Sequence, residues 1–134
     1  ISLEGVKALL VEDNNLNMEI SKFYLEQENV DVTSAVNGKE AVSIFENSEP
    51  GYFDIILMDI VMPEMDGLTA TRTIRALDRS DAKSIPIIAM SANAFEEDIR
   101  NSMEAGMNDY LVKPLNGQSI ATKMNEYLAD HITK

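Results

Sequence analysis

At 134 residues the chain is the size of one domain, since domains most often hold about 100 to 150 residues. Apolar residues make up 45% and there is no Cys, so an ordinary apolar core is within reach and a disulfide framework is excluded. Eleven Lys and Arg against 23 Asp and Glu give a net charge of −12, which repels phosphate backbones and anionic lipid and argues against nucleic-acid or membrane contact by this segment.

The apolar runs are too short to span a bilayer. Ile1–Gly5 has neither the basic start nor the apolar stretch of a secretory signal. Ile1 in place of an initiator Met leads to the expectation of a longer parent chain or an altered start. Residues 1–5 are expected to be an edge or linker, 6–128 the domain, and 129–134 a tail.

In chain order, Val6–Val11 (VKALLV) predicts a buried strand. Leu16, Ile20, Phe23 and Tyr24 then fall at helical spacing and predict a helix with that apolar stripe turned inward. Val30–Val36 (VDVTSAV) alternates apolar and polar residues, as an edge strand does. Asn37 with Glu40 forms the Asn version of a capping box, opening a helix that buries Ala41, Ile44 and Phe45. After a surface loop at 46–52, Phe53–Met58 (FDIILM) predicts the third strand. Ala70, Ile74 and Leu77 mark the next helix, and 78–84 a second surface loop. Ile85–Met90 (IPIIAM) predicts the fourth strand, followed by a cap at Asn93 with Glu96 and a helix burying Phe95, Ile99 and Met103. Gly106 is placed to end that helix in a left-handed conformation. Tyr110–Val112 predicts the fifth strand, and Ile120, Met124, Tyr127 and Leu128 the last helix.

Strand and helix thus alternate five times. Strands joined by right-handed helical crossovers pair in parallel, with helices on both faces, giving a doubly wound five-stranded α/β sandwich. In such sheets ligands bind beyond the carboxyl ends of the strands. The first strand ends in Glu12 and Asp13, the third in Asp59, the fourth in Ser91 and the fifth in Lys113 before Pro114. Singly, each is an ordinary helix cap, loop hydroxyl or turn residue. Their coincidence on four strand ends carries the functional reading.

Three carboxylates gathered within about 4 to 6 Å would repel by on the order of 10 kcal/mol at an effective dielectric of 20. Either one keeps its proton or a divalent cation joins them. With only oxygen donors and few of them, Mg²⁺ suits better than Ca²⁺. A cation beside Asp59 and the ammonium of Lys113 would neutralise a transferring phosphoryl group, Ser91 could donate a hydrogen bond to it, and Asp59 would be a ready carboxylate nucleophile.

These motifs, Glu12 and Asp13 in VEDNNLN, Asp59 in LMDIVMPEMDG, Ser91 in AMSANA and Lys113 in YLVKP, resemble those of receiver domains of two-component response regulators over roughly Val6–Leu128. The resemblance implies a flavodoxin-like sheet of order 2-1-3-4-5. It implies that Asp59 accepts phosphate from a phosphohistidine, and that Asp13, Asp59 and the Val61 carbonyl bind Mg²⁺ with Glu12 helping through water. It also implies a cis peptide between Lys113 and Pro114, and a switch in which Ser91 moves toward the phosphate and Tyr110 turns inward. The fourth helix, Tyr110 and the last helix would then form the output face. Glu12 stands where the family more often has Asp, and Ser91 where Thr is common.

Val61 and Asn93, two positions beyond Asp59 and Ser91, are placed to orient or exclude hydrolytic water. The methionines read mostly as core, with Met62 and Met65 as possible partner contacts, and the lone His131 as solvated. A haloacid-dehalogenase-like phosphohydrolase is the rival enzyme, but it wants a second acid where Val61 stands. A partner-binding module without phosphotransfer would need a lost Asp59 or Lys113. An FMN carrier would need backbone donors where Glu12 and Asp13 lie. VEDNNLN, SANAF and EAGMNDYLVKPL look most similar to receivers of hybrid sensor histidine kinases, whose donor is the kinase phosphohistidine or a histidine-phosphotransfer domain. The expected location is cytoplasmic, on a parent chain that a membrane could anchor; a response regulator with a further output domain and stand-alone use are the other options.

Overall fold

A computed structural model describes residues 3–60, 65–91, 96–113 and 117–133, with side-chain burial given through Leu128. The elements run β1 (Lys7–Val11), α1 (Asn15–Gln27), β2 (Asp31–Ala35), α2 (Gly38–Asn47), β3 (Ile55–Asp59), α3 (Gly67–Arg75), β4 (Ile87–Ser91), α4 (Glu96–Ala105), β5 (Asp109–Val112) and α5 (Gly117–Thr133). All strand pairs are parallel and the sheet order is β2-β1-β3-β4-β5. The chain winds outward from β1 in one direction and from β3 in the other, so a crevice opens between their carboxyl ends.

Alternate residues of the central strands point to opposite faces, and both faces are covered. Leu9, Val11, Ile56, Met58, Ile87 and Ala89 meet Ala41 and Phe45 of α2 and Ala70 and Ile74 of α3. Ala8, Leu10, Ile55, Leu57, Ile88 and Met90 meet Leu25 of α1 and Ile120, Met124 and Leu128 of α5. This is why these strands read as unbroken apolar runs, whereas β2, at the sheet edge, alternates.

β3 begins at Ile55 and β4 at Ile87, each two residues later than the apolar runs suggest. Phe53 is buried off the ladder and stacks on Phe45 at 6.4 Å, and Pro86 has no N–H to give a ladder. Asp59 and Ser91 close their strands. Leu3 is 2% exposed, so the N-terminal edge packs onto the core, and α5 continues as helical backbone to Thr133.

Two helices present a face other than the expected one. In α1, Ser21 and Leu25 are buried, with Met18 and Tyr24 packed against the core, while Leu16 is 65% and Phe23 56% exposed. In α4, Ser102 and Ala105 are buried and Met103 is 37% exposed; Phe95 lies outside the described residues. In both, small side chains let the helix lie close to the sheet, so the largest apolar residues do not mark the inner face.

The caps hold. Asn37 accepts from Glu40 N–H at 2.8 Å, while Glu40 accepts from Val36 N–H rather than from Asn37. Gly106 takes φ +113° after α4. The 78–84 loop is more than a surface link. The Arg79 guanidinium, 10% exposed, pairs with Asp81 at 2.6 Å, donates to the Phe45 and Ser48 carbonyls that end α2, and lies 4.3 Å from the Phe45 ring. Among the described residues, no helix is long and apolar enough to cross a membrane.

Candidate functional site

The site assembles where the strands end. Past Val11 the backbone continues one step along the ladder, Glu12 N–H donating to Ala35 C=O at 3.0 Å. This turns the Glu12 side chain inward, 1% exposed, and leaves Asp13 at the open rim. Asn14 then caps α1 by accepting from Asn17 N–H, and its own N–H donates to Glu12 Oε2 at 3.2 Å. Asp59 is 4% exposed at the end of β3. One step beyond β5, Lys113 N–H donates to Ser91 C=O at 2.7 Å, which sends the Lys113 side chain across the hollow.

Lys113 Nζ lies 2.7 Å from Glu12 Oε1 and 3.0 Å from Asp59 Oδ2. One carboxylate oxygen from each of Glu12, Asp13 and Asp59 falls within 4.8 Å of the others. Burial, above all, and then the hydrogen bond and charge of Glu12 push the Asp59 carboxyl up to about 7, against the opposing pull of Lys113. For Lys113, burial alone would favour loss of the proton, but its bonds to Glu12 and Asp59 prevail and hold it above its ordinary value. The repulsion anticipated from the sequence is therefore present, and the ammonium relieves it only in part. A set of three hard oxygen donors, one of them pushed up mainly by its burial, fits a hard divalent cation.

These groups line a cleft of about 290 Å³ together with Ser91. Tyr110 is half-buried on β5 and lines a small adjoining gap with Ile60, Ser91, Asp98, Ile99 and Ser102. Val61, Asn93 and Pro114, and with them the expected metal-binding carbonyl, hydrolytic positions and cis peptide, lie outside the described residues, as does Met62. The structure adds residues that sequence reasoning passed over. Asn14, Asn17, Ile60, Met90 and Asp98 also line the cleft. Gly67 donates its N–H to Ile60 C=O at 2.9 Å, and an added Cβ there would overlap the Asp59 carbonyl. Its signal was available, since Asp66 before Gly67 is a helix cap followed by a close approach; Asp66 accepts from Thr69 N–H at 2.8 Å.

Comparison with known proteins agrees with this geometry. The family model described as response regulator receiver domain matches residues 8–125. "Probable histidine kinase 1" of Oryza sativa subsp. indica is 36% identical over 156 aligned positions, covering 95% of this chain and 16% of that protein; the chain thus spans under a fifth of this relative's length. The receiver domain of sensor histidine kinase PA1611 from Pseudomonas aeruginosa PAO1, solved with a magnesium ion coordinated in its active site cleft, superposes with TM-score 0.84 at 38% identity, covering 93% of this chain and 98% of that one. The Saccharomyces cerevisiae receiver domain of Ssk1, solved with the histidine phosphotransfer protein Ypd1, gives TM-score 0.81 at 29% identity, covering 93% and 90%. With five parallel strands in this order, an acidic cluster at their carboxyl ends and a matching family model over most of its length, the chain belongs to the response regulator receiver domains of two-component signalling.

Proposed function

We propose that Asp59 is the phosphoacceptor of a two-component phosphorelay and takes its phosphoryl group from a phosphohistidine. The observation that carries this reading is the position of Lys113 Nζ, 2.7 Å from Glu12 and 3.0 Å from Asp59, beside three clustered carboxylates. Asp59 Oδ attacks phosphorus in line, the bond from phosphorus to the histidine nitrogen breaks, and imidazole leaves with the bonding pair. Lys113 follows the charge from the carboxylate to the phosphoryl oxygens, and Ser91 donates to the same group. Asp13 and Asp59, with the Val61 carbonyl and Glu12 through water, would hold Mg²⁺, which when bound neutralises phosphoryl oxygens as they approach this acidic hollow.

The switch follows from charge. An acyl phosphate carries close to two negative charges where one carboxylate stood. Ser91 is drawn to it, the gap that Ser91 shares with Tyr110 changes shape, and the face of α4, β5 and α5 reports the state. Val61 and Asn93 govern access of hydrolytic water. Leu16 and Phe23, exposed on α1 beside the Asn14 and Asn17 rim, give a donor an apolar surface next to the cleft. The histidine phosphotransfer protein seen with the Ssk1 receiver supports a donor of that class.

The domain is taken as 6–128, with 1–5 and 129–134 as its margins, acting in the cytoplasm. Receivers of a sensor histidine kinase and of a response regulator both superpose on it; the sequence motifs favour the hybrid kinase as parent. Incubation with acetyl phosphate and Mg²⁺ followed by intact mass measurement should show one phosphoryl adduct that is absent without the metal and absent in Asp59→Ala. An adduct that survives in that variant removes Asp59 from the role.

A further inference from the structure

α4 opens with three consecutive acids, Glu96, Glu97 and Asp98, and only one of them turns inward. Glu96 and Glu97 are exposed, whereas Asp98 is half-buried and lines both the phosphoacceptor cleft and the gap that holds Ser91 and Tyr110. Its backbone is fixed there, because the Asp98 carbonyl accepts from the hydroxyl of fully buried Ser102 at 2.9 Å. Asp98 thus adds a further acid to the lining of the cleft from a different element than Glu12, Asp13 and Asp59, outside the cluster that those three form.

Counted over the described lining, the cleft holds Glu12, Asp13, Asp59 and Asp98 against Lys113, four negative charges to one positive. A divalent cation brings that sum to −1, and removing the charge of Asp98 would bring it to zero. A small phosphodonor must enter this hollow as a free anion with no binding energy beyond its own phosphoryl group. A protein donor is held by its own surface and has already met the cost of approach.

On the reading that Asp59 is the acceptor, we propose that Asp98 is a specificity-determining residue, a fixed negative charge that slows phosphorylation by small anionic donors and so favours a docked protein donor. The step it acts on is the attack of Asp59 Oδ on phosphorus, with the bond to the leaving group breaking and acetate departing with the electron pair when acetyl phosphate is the donor. Asp98 neither touches the transferred atoms nor moves a proton; it acts through the potential at the cleft. The structural alternative, an acid favouring the N-terminal end of α4, would make Asp98→Asn slightly less stable but would not make its effect depend on donor charge.

The test compares two small donors of different charge near pH 7.5, acetyl phosphate as a dianion and phosphoramidate as a monoanion. Second-order labelling rates are measured by intact mass with Mg²⁺ for the wild type, Asp98→Asn and Asp98→Glu at low and high salt. The proposal expects Asp98→Asn to label on the order of fivefold faster with acetyl phosphate at low salt, about twofold faster with phosphoramidate, and with both gains shrinking as salt screens the charge. Asp98→Glu should stay close to wild type. Equal acceleration of both donors, a gain insensitive to salt, or no gain would overturn it. If the wild type is not labelled at all, the failure is that of the acceptor reading and not of Asp98.

Discussion

Replacing Asp59 by Asn tests the electrostatics of the site without chemistry. Asn is nearly isosteric, so it removes a buried charge and leaves the packing in place. An Asp whose folded value lies above its ordinary 3.8 holds its proton more tightly in the folded than in the unfolded chain. Its contribution to stability is then fully present below about pH 4 and is lost as pH rises through about 7. The interval between those values corresponds to at most about 4 kcal/mol. Asn also gives up the 3.0 Å bond to Lys113, although that ammonium keeps Glu12 at 2.7 Å. The expected net gain for Asp59→Asn at pH 8 without divalent ions is therefore about 1 to 3 kcal/mol, or roughly 3 to 12 °C in Tm for a chain of this size. Thermal melts of the two proteins followed by circular dichroism from pH 4 to 8 measure it. The gap should be near zero at pH 4, open through pH 5 to 7, and close again when Mg²⁺ is added to the wild type. A variant no more stable than wild type at pH 8, or a gap of equal size at pH 4, would mean that the Asp59 charge does not destabilise the folded protein.

Further expectations follow from the neighbours of Asp59. Lys113→Met leaves Glu12 and Asp59 facing each other with no cation, and should cost about 3 to 5 kcal/mol at pH 8, read by urea denaturation, with most of the loss recovered near pH 4. A loss independent of pH would mean that Lys113 acts through packing alone. Gly67→Ala inserts a methyl group against the Asp59 carbonyl and should destabilise by about 1 to 3 kcal/mol while also slowing labelling by acetyl phosphate, because the acceptor is displaced. Normal labelling in a destabilised variant would separate Gly67 from the site. Val61→Asn supplies a hydrogen bond to attacking water, and the decay of the adduct, followed by intact mass after removal of the donor, should be several-fold faster. An unchanged decay removes Val61 from the mechanism.

The sheet was legible because strands buried on both faces leave apolar runs that nothing else in a chain of this size needs. The site was legible for a related reason: a parallel sheet turns every strand end toward the same rim, so residues 12, 13, 59, 91 and 113 could be placed together without knowing any distance. Helix faces were harder. Apolar size pointed Phe23 and Met103 inward, whereas close packing selected Ser21, Ser102 and Ala105, whose small volume carries little signal in a periodicity argument. Long-range clamps were invisible for another reason. Arg75 donates to the carbonyls of Gly106 and Ala82 and to Asn108, and Arg79 reaches the end of α2. A guanidinium at a helix end, as in Arg75, or in a loop, as in Arg79, looks the same in sequence whether it meets water or distant backbone carbonyls. Asp98 belongs to this group, since its two acidic neighbours on α4 are exposed and nothing in the order of residues says which one turns toward the cleft.

Phosphoryl transfer as proposed leaves an acyl phosphate on Asp59. Borohydride reduces an acyl phosphate to an alcohol and spares free carboxylates, so it converts a phosphorylated Asp to homoserine. After labelling with acetyl phosphate and Mg²⁺, reduction and peptide sequencing by mass spectrometry, homoserine is expected at position 59 and nowhere else. Homoserine at position 13, or an intact Asp59 in a protein that carries the adduct, would contradict it.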